Sequence, residues 1–317
     1  MTTTNGRRSG PSTQSTGAGL ARDAPPRGRK NRRMTDAPGI LHLLAFAAEP
    51  GGGNPAGVVL DATALDDADM LRIAADLGYP ETAYVTARDG ERLRVRYFSP
   101  EAEVPFCGHA TIATAVALAE ASGPGEFVFE TSAGDVHVST RDEGGRIAAG
   151  FTSVEPTVRD FQDPAPLLAL LGLDAADLDP RMPIAEAFAG NWHPVVAVRT
   201  IERFDAFGYD PAELRVLMDE RGWTGTVTVV HVPGDVADGA VVEARNLFPV
   251  GDITEDPATG SAAAALGAYF RDHVGMPPPF HVTVHQGRHI GRSSVLEVDA
   301  PPVGGIQVSG TAVPLEG

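Results

Sequence analysis

Cysteine and lysine each occur once in these 317 residues, and tryptophan twice. A single cysteine, Cys107, rules out an intramolecular disulfide, cysteine-cluster metal sites and any mechanism using two thiols of one chain. It also fits a reducing compartment, and a cytoplasmic location is expected. No apolar run approaches the roughly 18 residues that span a bilayer, so no membrane partner is expected. Basic residues are scarce beyond residue 33: the first 33 carry seven arginines and Lys30 against one acid, whereas the remainder sets 41 acids against 17 arginines. An acidic body argues against nucleic acid as a partner, because phosphate backbones demand a positive face. The basic leader has no apolar h-region and cannot be a secretory signal. It reads as a disordered tail or an over-long start, with a working basic arm as the alternative.

What is present suits a folded enzyme-sized chain. At 43% apolar residues, it has enough hydrophobic material to build cores. From about Gly39, β-branched runs alternate with short helical stretches. Segments such as "AGVVL", "TAYVTA", "LRVRYF" and "EFVFET" read as strands. "LDDADMLRIAADLG" reads as an amphipathic helix stopped by Gly78. "GHATIATAVALAEASG" and "TGSAAAALGAYFRDHVG" are helical but apolar nearly all round, which belongs inside a structure.

The two halves resemble each other. "VRYFSP" at Val95–Pro100 aligns with "ARNLFP" at Ala244–Pro249, and each precedes an acid-containing loop and a buried alanine-rich helix. The fold class expected is therefore α+β, with two similar domains, each a curled, mostly antiparallel, barrel-like sheet around a central small-residue helix. The expected partition is a leader over 1–38, an N-terminal domain over 39–150 completed by a strand near 304–317, and a C-terminal domain over 151–303.

If the repeat holds, the central helices begin at "CGHAT" and "ATGSA". Their free N–H groups and partial positive charge would hold a carboxylate between them. His109, in the first turn of an apolar helix, is either a satisfied structural histidine or a proton relay. Asp256, before Pro257, is either a helix cap or a carboxylate aimed into the same cleft as Ser261. Glu81, between Pro80 and an apolar strand, is either a rim charge or a buried base of raised pKa. "HVTVHQGRH" spaces His281, His285 and His289 four apart and imitates a metal pair, but no carboxylate stands at a supporting spacing, so no metal site is expected. "GGGNPAG" lacks the ends of a P-loop, and no Gly-x-Ser-x-Gly elbow appears.

Five ordered motifs, "GNPAGVVL" from Gly53, "ETAYV" from Glu81, "FSPEAEVPFCGHATIATA" from Phe98, "EDPATGSAAAAL" from Glu255 and "QGRHIGRSS" from Gln286, resemble the PhzF-like family of phenazine-biosynthesis isomerases. That family has the diaminopimelate-epimerase fold, with its site between two similar domains. The resemblance implies a cofactor-independent isomerase that moves a proton on a small carboxylated metabolite. Glu81 would be the acid/base, assisted by His109 and Asp256. Asn54, Gly108, Gly260 and Ser261 would bind substrate, and the protein would be a homodimer. An epimerase or racemase, or a silent small-molecule-binding homologue, are the rival readings. Members acting in phenazine formation commonly carry a small hydroxyl residue before the catalytic acid; here it is Pro80. Cys107 stands where the epimerases have one of two thiols, and reads as a small buried neighbour of the site.

Overall fold

The N-terminal half opens with an antiparallel pair, β1 (Ile40–Ala45) and β2 (Asn54–Val59), in this computed structural model, which describes residues 39–250 and 253–315. The expected leader lies outside the described residues. Helix α1 (Asp67–Leu77) then crosses over to β3 (Glu81–Asp89), which pairs parallel to β2. The helix starts where the Asp66 side chain accepts from the Asp69 N–H. It stops at Gly78, whose φ of 67° suits glycine. Strand β4 (Arg92–Phe98) and the short β5 (Glu103–Val104) lead into α2 (Gly108–Ser122), followed by β6 (Glu126–Thr131), β7 (Gly134–Asp142) and β8 (Ile147–Thr152).

The second half repeats this order. It runs β9 (Thr157–Asp160), α3 (Ala165–Leu170), β10 (Ala185–Phe188), β11 (Trp192–Ala197), α4 (Ile201–Ala206), α5 (Pro211–Arg221), β12 (Val227–His231), β13 (Ala240–Val250) and β14 (Ile253–Asp256). Helix α6 (Gly260–Ala268), β15 (Phe280–Gln286), β16 (Ser294–Ala300) and β17 (Gln307–Pro314) complete it. A parallel pair cannot be joined by a hairpin and needs a crossover. Each half has two: β2 with β3 and β4 with β6 in the first, β11 with β12 and β13 with β15 in the second. In both halves the second crossover carries the apolar central helix.

Pairing closes the first sheet. The neighbours run β1, β2, β3, β4, β6, β7, β8, β17 and back to β1, a ring around α2. The second sheet curls around α6 in the order β9, β10, β11, β12, β13, β15, β16, and is joined to the first where β16 pairs with β17. The final strand thus closes the first ring and ties the second to it.

Both central helices are buried almost all round: His109 through Ala119 of α2, and every residue of α6 except Ser261. Small side chains make this possible. A Cβ on Gly267 would stand 2.7 Å from Ile306 Cγ2 and 2.9 Å from Val298 Cγ1. Alanines on the remaining turns let strands approach the helix axis, and the larger Ile112, Val116 and Leu266 fill what is left of one continuous core. Helices α3, α4 and α5 contribute to a separate cluster with β11, β12 and β13, around Phe204, Leu214 and Trp223. No helix among the described residues is long and apolar enough to cross a membrane.

Candidate active site

Helices α2 and α6 meet at their N-termini. A Cβ on Gly108 would lie 3.3 Å from Gly260 Cα, and one on Gly260 would lie 3.4 Å from Gly108 Cα. The Phe151 ring of β8 supports both, at 3.2 and 3.0 Å from those two Cβ positions. Neither helix has a side-chain cap: Cys107 and Thr259 hold the cap positions without bonding a first-turn N–H. The residues that open both helices, Gly108, His109, Gly260 and Ser261, line one cavity of about 130 Å³. A cavity of that order holds about one benzene-sized ring. Two uncapped termini converging on it suit an anion.

Glu81, the first residue of β3, lies on the wall of this cavity with 23% of its side chain exposed. Burial, and next the charge of Asp256, push its carboxyl up to about 7. Its Oε2 lies 3.4 Å from His109 Nε2 and accepts from the Cys107 thiol at 3.4 Å. Glu81 is therefore neither a solvated rim charge nor isolated.

Asp256 ends β14 and reaches the same cavity. Its Oδ2 accepts from Thr259 Oγ1 at 2.5 Å and its Oδ1 from Asn54 Nδ2 at 2.7 Å. It does not cap α6, whose cap position belongs to Thr259. Burial raises its pKa to about 6, against the lowering pull of those two donors. His109 is buried and held neutral, its pKa pushed down to about 4 by desolvation. At neutral pH the site thus contains one carboxylate, one carboxyl poised near its midpoint and a neutral imidazole.

Asn54 is not on the cavity wall. It is fully buried, and its amide donates to Asp256 Oδ1 and to the Ala258 carbonyl at 3.1 Å, with His109 Nδ1 3.2 Å away. The asparagine at the start of β2 thus spans 202 residues to hold the other half's acid in place. Cys107 is less of a bystander than its reading as a small buried neighbour implies. The position before α2 aims its thiol into the cavity, 3.3 Å from His109 Nδ1 and in contact with Glu81. Burial raises its pKa well above the ordinary range, so it is a neutral thiol donor. Its Sγ lies with one oxygen of Glu81 and one nitrogen of His109 inside a 4.8 Å group that could ligate a cation. The hydrogen bonds just described account for the same three side chains.

The three histidines at and after β15 gained carboxylates that linear spacing did not reveal. His281 meets Asp299 and Glu297 across the β15–β16 pair, at 2.9 Å each. His285 meets Glu243, and His289 meets Asp205. These are histidine–carboxylate contacts on a partly exposed face, and none of the three histidines lines the cavity.

Three contributors were given no role from the sequence: His193 and Thr226 carried no local signal, and Gln286 stood only at the head of a motif. His193 of β11 bonds Ser261, Thr226 supports His193, and Gln286 at the end of β15 braces the loop before α6. Gln286 Nε2 donates to the Asp256 carbonyl at 2.7 Å and to Thr259 Oγ1 at 3.0 Å, while its Oε1 accepts from the Thr259 N–H.

Comparison with known proteins identifies the family and the fold. Residues 43–317 match the family described as phenazine biosynthesis-like protein. The chain belongs to this family. It is 33% identical over 291 residues to the "Uncharacterized isomerase YddE" of Escherichia coli K12, covering 87% of this chain and 96% of that protein. It is 31% identical over 273 residues to the trans-2,3-dihydro-3-hydroxyanthranilate isomerase of Pseudomonas aeruginosa, covering 84% and 93%. Among solved structures, the PhzF-family phenazine biosynthesis protein of Bacillus anthracis superposes with a TM-score of 0.73 at 27% identity, covering 87% of this chain and 96% of that one. A probable proline racemase from Agrobacterium radiobacter K84 superposes with a TM-score of 0.59 at 12% identity, covering 87% and 90%, which shows a shared fold. Two curled sheets around central helices, the α+β architecture expected from the repeat, are common to both groups.

Proposed function

We propose that the protein is a cofactor-independent isomerase that moves a proton between carbons of a small carboxylated metabolite, with Glu81 as the acid/base. The observation that carries this reading is the Glu81 carboxyl, pushed to about 7 by burial and by Asp256, on the wall of a cavity into which two uncapped helix N-termini open. A base of that pKa is matched to neutral operation.

In the proposed step the substrate carboxylate lies against the Gly108 and Gly260 amides and the Ser261 hydroxyl. The Glu81 carboxylate takes a proton from a carbon next to a carbonyl or conjugated acid. The electron pair of the broken C–H bond moves into that conjugated system. Backbone N–H groups stabilise the enolate-like charge. Glu81 then returns its proton to a different carbon, and the double bond moves. Neutral His109 is placed to donate to Glu81 or to the substrate, and Asp256 keeps the Glu81 pKa high. The named activities of the relatives support the isomerase class, and the dihydroanthranilate isomerase among them suggests a carboxylated ring as one substrate type.

Solvent exchange tests the proposal. Candidate carboxylates are incubated with the protein in D₂O and followed by NMR. Deuterium at carbon with a shifted double bond is the expected result. Deuterium with inverted configuration would favour the epimerase reading, and no exchange in a ligand shown to bind would overturn both.

A further inference from the structure

Ser261 is the only residue of α6 that is not buried, and its hydroxyl has one protein partner among the described residues, His193 Nε2 at 3.1 Å. His193 also lines the cavity, stands near the start of β11, and is 1% exposed. Its ring lies on Gly225, where a Cβ would come within 2.5 Å of His193 Cε1 and 2.8 Å of Nδ1. Only a residue without a side chain leaves that space. The other ring nitrogen faces Thr226, whose backbone N–H donates to Nδ1 at 3.1 Å. The Thr226 hydroxyl, 3.0 Å from the same nitrogen, gives its proton to Asn246 Oδ1 at 2.7 Å, as does Thr228.

These contacts select a tautomer. If Nδ1 carried the proton it would donate to the Thr226 carbonyl, 3.1 Å away, and the buried Thr226 N–H would face another N–H. A buried N–H without an acceptor is rarer and costlier than a carbonyl with a spare lone pair. Nδ1 therefore accepts, and Nε2 carries the proton and donates it to Ser261 Oγ. Burial holds the ring neutral, with its pKa lowered to about 4. A serine oxygen that already accepts from a histidine is left with its own O–H to donate.

We propose that His193 is a positioning residue that fixes the Ser261 hydroxyl as a hydrogen-bond donor, so that this end of the cavity selects an anionic acceptor, a carboxylate, over a neutral carboxamide. The inference rests on the carboxylate reading above and adds the device that enforces it. Asn246, which anchors Thr226, also pairs with Asp256 across β13 and β14, so one network sets the Ser261 donor and the strand bearing the acid.

Two measurements on the full chain test this. Nitrogen-15 NMR of histidine-labelled, ligand-free protein should show His193 protonated at Nε2 and bare at Nδ1. The opposite tautomer would make Ser261 the donor to the ring and would overturn the proposal. Binding of 2-aminobenzoate and 2-aminobenzamide, probes that differ in the acceptor group, is then measured by calorimetry. The wild type is expected to prefer the carboxylate by about 10-fold or more, the scale of one charge-assisted hydrogen bond. His193→Ala should lose the share of that preference that Ser261 supplies, leaving the share that the two helix N-termini supply, and His193→Gln, which keeps a donor near the Nε2 position, should recover it. Ser261→Ala should lose it as well, and adding His193→Ala to Ser261→Ala should cost nothing further. Additive losses, or equal wild-type affinity for the two probes, would overturn the proposal. Because neither measurement uses turnover, their failure is distinguishable from failure of the isomerase reading, which the D₂O experiment decides.

Discussion

Asp256 acts on Glu81 through charge, while its own carboxylate is committed to Asn54 and Thr259. The sign of its effect can be tested. A Glu81 that must be ionised to take a proton gives an exchange rate that rises with pH through about 7 and then levels. Asp256→Asn removes the like charge, which lowers the Glu81 pKa, so the rising limb should move to lower pH whatever happens to the plateau. An unmoved limb in the pH profile of exchange would remove Asp256 as the neighbour that tunes Glu81. Much of this site was legible in the sequence, because Glu81, His109, Gly108, Gly260 and Ser261 stand at the starts of elements where local motifs mark them. His193 was not. "HPVVAV" reads as an apolar strand, and the polar residue at its head acquires meaning only from Ser261, 68 positions away. Asn54 was legible as a site residue, but its placement behind the wall depends on Asp256 and Ala258, 202 and 204 positions away.

The two central helices explain why alanine and glycine dominate where larger apolar residues would bury more surface. Strands pass so close to α6 that Gly267 has no room for a methyl group. Helix propensity alone would make Gly267→Ala stabilising by up to about 1 kcal/mol. Crowding against Ile306 and Val298, both fully buried, should outweigh that gain and leave a net loss on the order of 1 kcal/mol or more. Urea unfolding of the variant measures it, and a net gain would show that the strands can retreat. At this scale period and caps marked most strands and every long helix in the sequence. They did not mark β8, whose "IAAGFT" has little intrinsic strand preference. That strand exists because β7 and β17 flank it, and Gly150 suits its place, where a Cβ would stand 3.0 Å from Ser309 Cβ. The four-residue strands β9, β10 and β14 were too short to show a period.

Across the two halves of the described residues, the repeat explains the location of the site. Each half presents one uncapped helix terminus, and the cavity exists where the two meet. Glu81 and His109 come from one half, Asp256, Ser261 and His193 from the other. Strand β17 couples the halves by pairing with β1, β8 and β16. Deleting residues 307–317 opens the first ring and exposes edges of both sheets, so the truncated chain should lose the cooperative urea transition of the full chain in both halves. A truncated chain that keeps half of that transition intact would show that the halves fold independently of the shared strand. The chemical claim has its own decisive measurement, the rate of deuterium incorporation at carbon in D₂O, for wild type and Glu81→Gln, at equal occupancy of the same carboxylated ligand. Glutamine keeps the shape and much of the hydrogen bonding of Glu81 but cannot take a proton. The prediction is exchange by the wild type, with Glu81→Gln binding normally and exchanging at least about 100-fold more slowly. Exchange at the wild-type rate in Glu81→Gln would contradict the assignment of Glu81 as the group that moves the proton.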